Sequence, residues 1–188
     1  MKSPVCYLVA IFFLLVFFFL PVNNWAVEVG DQAPDFRLPL INDLNQVDQK
    51  PAPTKSPGLF EVMRLSDYRG TMVYVDFWAS YCKPCRESFP MLSRLRDKFD
   101  REIFEILAIS NDFNPKESLR FINEYETTFP VLSDPTSLIA KRYGVKTLPK
   151  GFLVDEKGTV LLVHEGFQRQ YIHDILAPVL EFSSRRSE

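Results

Sequence analysis

Cys82-Lys83-Pro84-Cys85 sets two thiols two residues apart, directly after the apolar run Val73-Tyr74-Val75-Asp76-Phe77-Trp78-Ala79. At this spacing the pair can close a small disulfide ring or open to a dithiol. A helix starting at the first cysteine would hold its sulfur against unpaired backbone N–H groups, which stabilise a thiolate. The thiolate attacks disulfides and the thiol does not. Cys82, ahead of the helix and beside Lys83, is the expected nucleophile, in a setting that brings a cysteine pKa to roughly 3.5–7.5. Cys85, one turn into the helix and less exposed, is the expected resolving thiol, attacking the mixed disulfide that Cys82 forms with a substrate. Zinc sites use the same spacing but need about four ligands. Only His164 and His173 could join the thiols, they are not spaced as a ligand pair, and the sequence has no second C-x-x-C. No metal and no cofactor are expected.

Asp76 interrupts an apolar strand where burial would favour Val or Ile. A buried, unpaired carboxylate is costly and answers by raising its pKa. Near a thiol pair it could be the base that deprotonates Cys85 during resolution; the alternative is an aspartate at a strand irregularity, facing water. Pro149, in Thr147-Leu148-Pro149, precedes a strand that a proline would spoil from within. On the residues alone it reads as an ordinary loop proline, with a cis Leu148–Pro149 bend as the alternative.

The elements that must position these groups follow from pattern. Residues 27–41 read as a loop entering a short strand, and 42–58, polar with Pro51, Pro53 and Pro57, as an exposed loop outside the core. A second short strand is expected over Leu59–Arg64, and the near-continuous apolar Met72–Ala79 is a central strand buried on both faces. Phe89, Leu92, Leu95 and Phe99 recur at helical spacing, predicting a helix from Pro84 to Phe99 with a kink at Pro90. Phe104–Ser110 is the next strand. Asn114-Pro115-Lys116-Glu117 starts a helix that runs to Tyr125 and buries Leu119 and Ile122. A short helix over Ser137–Tyr143 stops at Gly144. Gly151–Asp155 and Thr159–His164 form a hairpin, and Tyr171–Phe182 a closing helix, with Ser183–Glu188 fraying. Parallel β-α-β units followed by a hairpin imply an α/β fold, a mixed sheet with helices on both faces.

The 188-residue chain divides at its start. Val5 to Val22 carries no charge, Lys2 lies ahead of it, and the first charge after it is Glu28. Such a run is at the short end of what spans a bilayer and long for a signal-peptide core. The charge asymmetry puts the amino terminus in the cytoplasm and the rest outside. An uncleaved anchor over residues 5–22 is favoured over a removed signal, whose product would be soluble. The expected division is 1–26 as anchor or signal, 27–183 as one domain, and 184–188 as a flexible tail. Net charge is −2, with 22 basic and 24 acidic residues well mixed, so nothing points to nucleic acid. Of three cysteines, Cys6 lies in the apolar run, as a small filler. The exported part therefore has no cysteines to spare for structural bridges.

Val75-Asp76-Phe77-Trp78-Ala79-Ser80-Tyr81-Cys82-Lys83-Pro84-Cys85 followed by Phe89-Pro90 resembles the active-site segment of thioredoxin-fold proteins. Gly30-x-x-Ala33-Pro34-Asp35-Phe36-x-Leu38, Leu65-Ser66-Asp67-Tyr68-Arg69-Gly70 and Tyr143-Gly144-Val145 leading to Leu148-Pro149 extend the resemblance over about residues 28–182. Together they are similar to the membrane-anchored TlpA/ResA-type thiol–disulfide oxidoreductases of the redoxin superfamily. The resemblance implies a thioredoxin fold with extra N-terminal strands and a cis Pro149 facing the dithiol. It also implies that the Leu148 backbone pairs with the substrate chain, and that Trp78 and Tyr81 border the same groove. There are departures. Tyr81 stands where Trp is common, and Ser88 where many ResA-type proteins carry a glutamate. Asp76 is present where they often lack it, so the acid–base role passes to Asp76. Lys150-Gly151 replaces the usual residues after the proline, and the Gly-x-Pro-Glu-Thr segment of cytochrome-maturation members is absent.

The function expected is an extracytoplasmic oxidoreductase that reduces disulfides of exported proteins, with apocytochrome c a weakened candidate, and is recharged by a membrane thiol donor. A copper or zinc chaperone using the same thiols, and a peroxidase of the peroxiredoxin kind, are the alternatives.

Overall fold

The computed structural model describes residues 26–41, 61–125 and 127–187. The apolar run 5–22 and the loop 42–58 lie outside the described residues. Within them, no helix is long and apolar enough to cross a membrane.

Two short strands, β1 (Arg37–Pro39) and β2 (Val62–Arg64), pair antiparallel and lead through a 3-10 turn, Leu65–Tyr68, into β3 (Met72–Trp78). The chain continues as α1 (Lys83–Arg96), β4 (Phe104–Ser110), α2 (Pro115–Glu124), β5 (Val131–Ser133), α3 (Leu138–Arg142), β6 (Lys150–Val154), β7 (Val160–Glu165) and α4 (Tyr171–Arg186). The sheet order is β5-β4-β3-β6-β7, with β3, β4 and β5 parallel and β6 and β7 antiparallel to their neighbours. This is the mixed thioredoxin-type sheet expected, and β3 at its centre is buried along its whole length.

Alternation along β3 divides the core. Met72, Tyr74 and Trp78 face Phe89, Leu92 and Leu95 of α1, Phe121 and Ile122 of α2, and Ile175, Val179 and Phe182 of α4. Val73, Val75 and Phe77 face the other way, onto Phe36, Leu65, Ile139 and Tyr143. Asp76 belongs to the first face by its place in the alternation, which puts its carboxyl on the same side as α1.

Several elements differ in detail from the pattern reading. The strand β5 was not expected: three residues after Pro130 are too few to show a period, and only pairing with β4 makes them a strand. The buried stripe of α2 is Ser118, Phe121 and Ile122, with Leu119 only partly buried. Helix α1 contains Pro90 and ends at Arg96, three residues short of the expected Phe99. Helix α4 runs past Phe182, because Arg186 donates to the carbonyls of Gly70 and Glu102 at 2.9 and 2.8 Å and holds its last turn against the domain. The expected tail from 184 is therefore helical as far as Arg186. In α3 the start comes from Asp134, whose carboxylate accepts from the amides of Leu138, Ile139 and Ala140.

Candidate active site

Strand β3 ends at Trp78, and the chain turns at once into the cysteine pair. The Cys82 amide donates to the Ala79 carbonyl at 3.0 Å, and Cys82 is the N-cap of α1 with Pro84 in the first turn. Proline suits that place because its missing N–H would have had no helical partner. Cys82 and Cys85 are joined by a disulfide, with Cα atoms 5.3 Å apart. Cys82 is 6% exposed and Cys85 0%. The thiol at the positive end of the helix dipole is thus the one a substrate can reach, and its partner waits beneath.

Two residues not singled out from sequence hold the turn before Cys82. Asp112, just past the end of β4, is buried and accepts from the Ser80 amide at 3.1 Å and the Ser80 hydroxyl at 3.0 Å. Its other oxygen accepts from the hydroxyls of Ser110 and Ser118 at 3.2 and 2.7 Å. Arg86 donates to the Ser80 carbonyl at 3.2 Å and to Tyr125 Oη at 3.3 Å. Ser80 is thereby clamped on both its amide and its carbonyl. The one signal in the sequence was position: Asp112 follows a parallel strand at its carboxyl end, where α/β sheets build sites.

Asp76 is 2% exposed, and its Oδ2 is buried with no hydrogen-bond partner among the described residues. Burial pushes its carboxyl up from 3.8 to about 8, the response expected of a charge deprived of water. The reading of a strand irregularity facing water is excluded. Asp76 lines a small cavity of about 10 Å³, roughly one water in size, with Tyr74, Ser88, Pro149, Gly166 and Tyr171. Ser88 donates from Oγ to the Cys85 carbonyl at 3.1 Å. Asp76 of the strand and Ser88 of the helix thus open onto one space.

The Leu148–Pro149 bond is cis, so the bend implied by the family resemblance is present. Pro149 lies one residue beyond the Phe77–Lys150 pair of β3 and β6, at the end of the sheet from which the cysteine loop departs. The Gly166 amide donates to its carbonyl at 2.9 Å. Lys150 is 8% exposed and reaches Glu165 Oε2 at 3.6 Å, and Glu165 accepts from Thr147 Oγ1 at 2.5 Å. That hydrogen bond, then Lys150, holds the Glu165 carboxyl below its usual range. Leu148 is half-buried, and Tyr81 is 72% exposed beside Cys82. Trp78 corrects an expectation. It is wholly buried between Phe89 and Phe121, ring centres 4.5 and 4.7 Å away, so it offers no surface to a substrate. The exposed aromatic that sequence reasoning missed is Phe113, 89% exposed, next to the Asp112 that ties its loop to Ser80.

Comparison with known proteins agrees with this geometry. The AhpC/TSA family model matches residues 29–163. Thiol-disulfide oxidoreductase ResA of Bacillus thuringiensis subsp. konkukian is 31% identical over 142 residues, 76% of this chain and 72% of the relative. The ResA of Geobacillus thermodenitrificans is 34% identical over 142 residues, 75% and 71% of the two chains. A crystal structure from Chlorobium tepidum, assigned as thiol:disulfide interchange protein DsbE, superposes with a TM-score of 0.70 at 33% identity, covering 84% of this chain and 99% of that one. The chain belongs to the AhpC/TSA family and is, within it, a ResA-like thiol–disulfide oxidoreductase of thioredoxin fold.

Proposed function

We propose that this oxidoreductase works outside the cytoplasm, held at the membrane by residues 5–22, and reduces disulfides in exported proteins. The observation that carries the reading is the pairing of a Cys82–Cys85 disulfide at a helix start with a buried carboxyl that shares a cavity with Ser88 and Pro149. The location rests on the uncharged run and the lone Lys2 ahead of it.

In the dithiol form, Cys82 thiolate attacks one sulfur of a substrate disulfide. A Cys82–substrate bond forms, and the first substrate thiolate leaves and takes a proton from water. Cys85 then gives its proton to Asp76, and its sulfur attacks Cys82. The Cys82–Cys85 bond forms, and the second substrate thiolate leaves and is protonated in turn. Two electrons have passed from the dithiol to the substrate. Burial holds the Asp76 carboxyl at about 8, close to the thiol range, so its ionised fraction can take a thiol proton as a general base. Tyr81 and the Leu148 backbone flank the attacked disulfide, and Phe113 widens the apolar rim toward the β4 end. A thiol donor at the membrane returns the pair to the dithiol.

The test is reduction of a model protein disulfide by the dithiol form. Wild type is expected to reduce it and Cys82→Ser to fail; equal rates would overturn the assignment. Turnover with hydrogen peroxide in place of a disulfide would put the chain among peroxidases instead. Direction is read from the reduction potential of the pair. A value toward the thioredoxin end of the range, about −270 mV, supports a reductase, and one near about −120 mV reverses it.

A further inference from the structure

A buried base must exchange its proton with solvent between the two halves of a redox cycle. In β3, Tyr74 lies two residues before Asp76 on the same face, and both line the small cavity. The register of the sheet sets Asp76 opposite Gly151 of β6, and Gly151 in turn opposite His164 of β7. Gly151 has no side chain to block that row. A Cβ there would stand 1.8 Å from Tyr74 Oη, so the tyrosine hydroxyl occupies the space above the glycine. From it Tyr74 Oη reaches His164 Nδ1 at 3.3 Å. His164 stacks on Tyr171 at 4.0 Å and 7°. Its Nε2 points to Asp174 Oδ2 at 3.8 Å, and Asp174 is 38% exposed.

We propose that the Tyr74 hydroxyl and the His164 imidazole, meeting over Gly151, carry the proton between Asp76 and solvent at Asp174. The inference rests on the reading of Asp76 as the acid–base group of the dithiol. The cavity takes about one water, enough to connect the Asp76 carboxyl to Tyr74 Oη. The relay takes the tautomer with the hydrogen on Nε2, facing the Asp174 carboxyl, and a bare Nδ1 toward the tyrosine. Burial lowers the His164 pKa, opposed by Asp174, and keeps the ring neutral, as a relay requires. Tyr74 is raised by burial first, then by Asp76 and Tyr171, which keeps its proton in place between transfers.

Outward, the proton of Asp76 passes to Tyr74 Oη through the intervening water, the hydroxyl proton moves to His164 Nδ1, and the Nε2 proton leaves by way of Asp174 to water. The ring is left with its hydrogen on Nδ1. Inward, when the disulfide is reduced and Cys85 needs a proton, Nε2 gains one and Nδ1 gives one up. The two directions restore each other's tautomer, so the imidazole need not turn over in its stacked place.

The test is a single turnover of the reduced, full-length chain with a small aromatic disulfide, following the two released thiolates. The first release reports Cys82 attack and the second Cys85 resolution. At pH 7 Asp76 is largely protonated and must discharge through the relay before it can take the Cys85 proton. Tyr74→Phe and His164→Gln are therefore each expected to slow the second release about tenfold, part of the roughly hundredfold or more that an acid–base group supplies. They should leave the first release unchanged and enlarge the solvent deuterium effect on the second. In an Asp76→Asn background the Tyr74→Phe change should add nothing. A second release untouched by both variants while Asp76→Asn slows it would overturn the relay and leave the base in place. Both releases slowed alike would mark a structural role and overturn it too. An unchanged second release in Asp76→Asn would remove the base and the relay with it.

Discussion

Replacing Asp76 by asparagine should make the oxidised chain more stable at neutral pH. Burial raises this carboxyl from 3.8 to about 8, and each unit corresponds to about 1.36 kcal/mol. Between those values the native chain holds a proton that the unfolded chain has lost, so stability falls as pH rises, by up to about 1.4 kcal/mol per pH unit. At pH 7 about three units have been crossed, a cost of roughly 4 kcal/mol. An asparagine avoids it, but its amide must sit where Oδ2 finds no partner among the described residues, which costs about 1–3 kcal/mol. The net expectation is a gain of about 1–3 kcal/mol. The assay is urea unfolding of both proteins with the disulfide intact, over a pH series from about 4 to 9. The difference between them should grow as pH rises and level off once pH passes about 8, where the folded carboxyl also ionises. A difference that stays constant over this range would show that Asp76 ionises like an exposed carboxylate. That result would refute both the burial argument and the base built on it.

Asp112→Ala strips the Ser80 amide and three hydroxyls of their acceptor. It should cost about 3 kcal/mol in urea unfolding and slow disulfide exchange as well. Glu105→Leu leaves Arg96, 5% exposed and bonded at 2.8 Å from Nε to Glu105 Oε1, as a buried cation. Arg101 pairs with the same carboxylate, and the loss expected in chemical unfolding is about 3–5 kcal/mol. Gly151→Ala drives a methyl into Tyr74, which is buried and cannot swing clear. A loss of about 1–3 kcal/mol is expected by thermal unfolding; an unchanged midpoint would mean that Tyr74 has another rotamer open to it.

What could be read in the sequence was whatever is local or periodic. The cysteine pair, the apolar strand with one carboxylate in it, and the stripe of Phe89, Leu92 and Leu95 each fall within one element, and a single chain shows them. The bend at Pro149 came through the family resemblance, because an isolated proline carries no mark of its isomer. Groups joined by tertiary pairing were hidden. Asp112 meets Ser80 across 32 residues, and Tyr74 meets His164 across 90. No spacing rule links them, since the sheet register sets the distance. Trp78 was misplaced for a different reason. The family resemblance had placed it at the groove, but alternation along β3 turns its ring inward onto Phe89 and Phe121. Strand β5 exists because β4 offers an edge, which three residues cannot announce.

The central claim is that Cys82 attacks and Cys85 resolves. Its most direct test is the Cys85→Ser variant of the full chain, reduced and mixed with a protein disulfide, then mapped by peptide mass spectrometry. The account predicts a mixed disulfide that persists, with the substrate bonded to Cys82. Substrate bonded elsewhere, or no adduct while turnover continues, would contradict it.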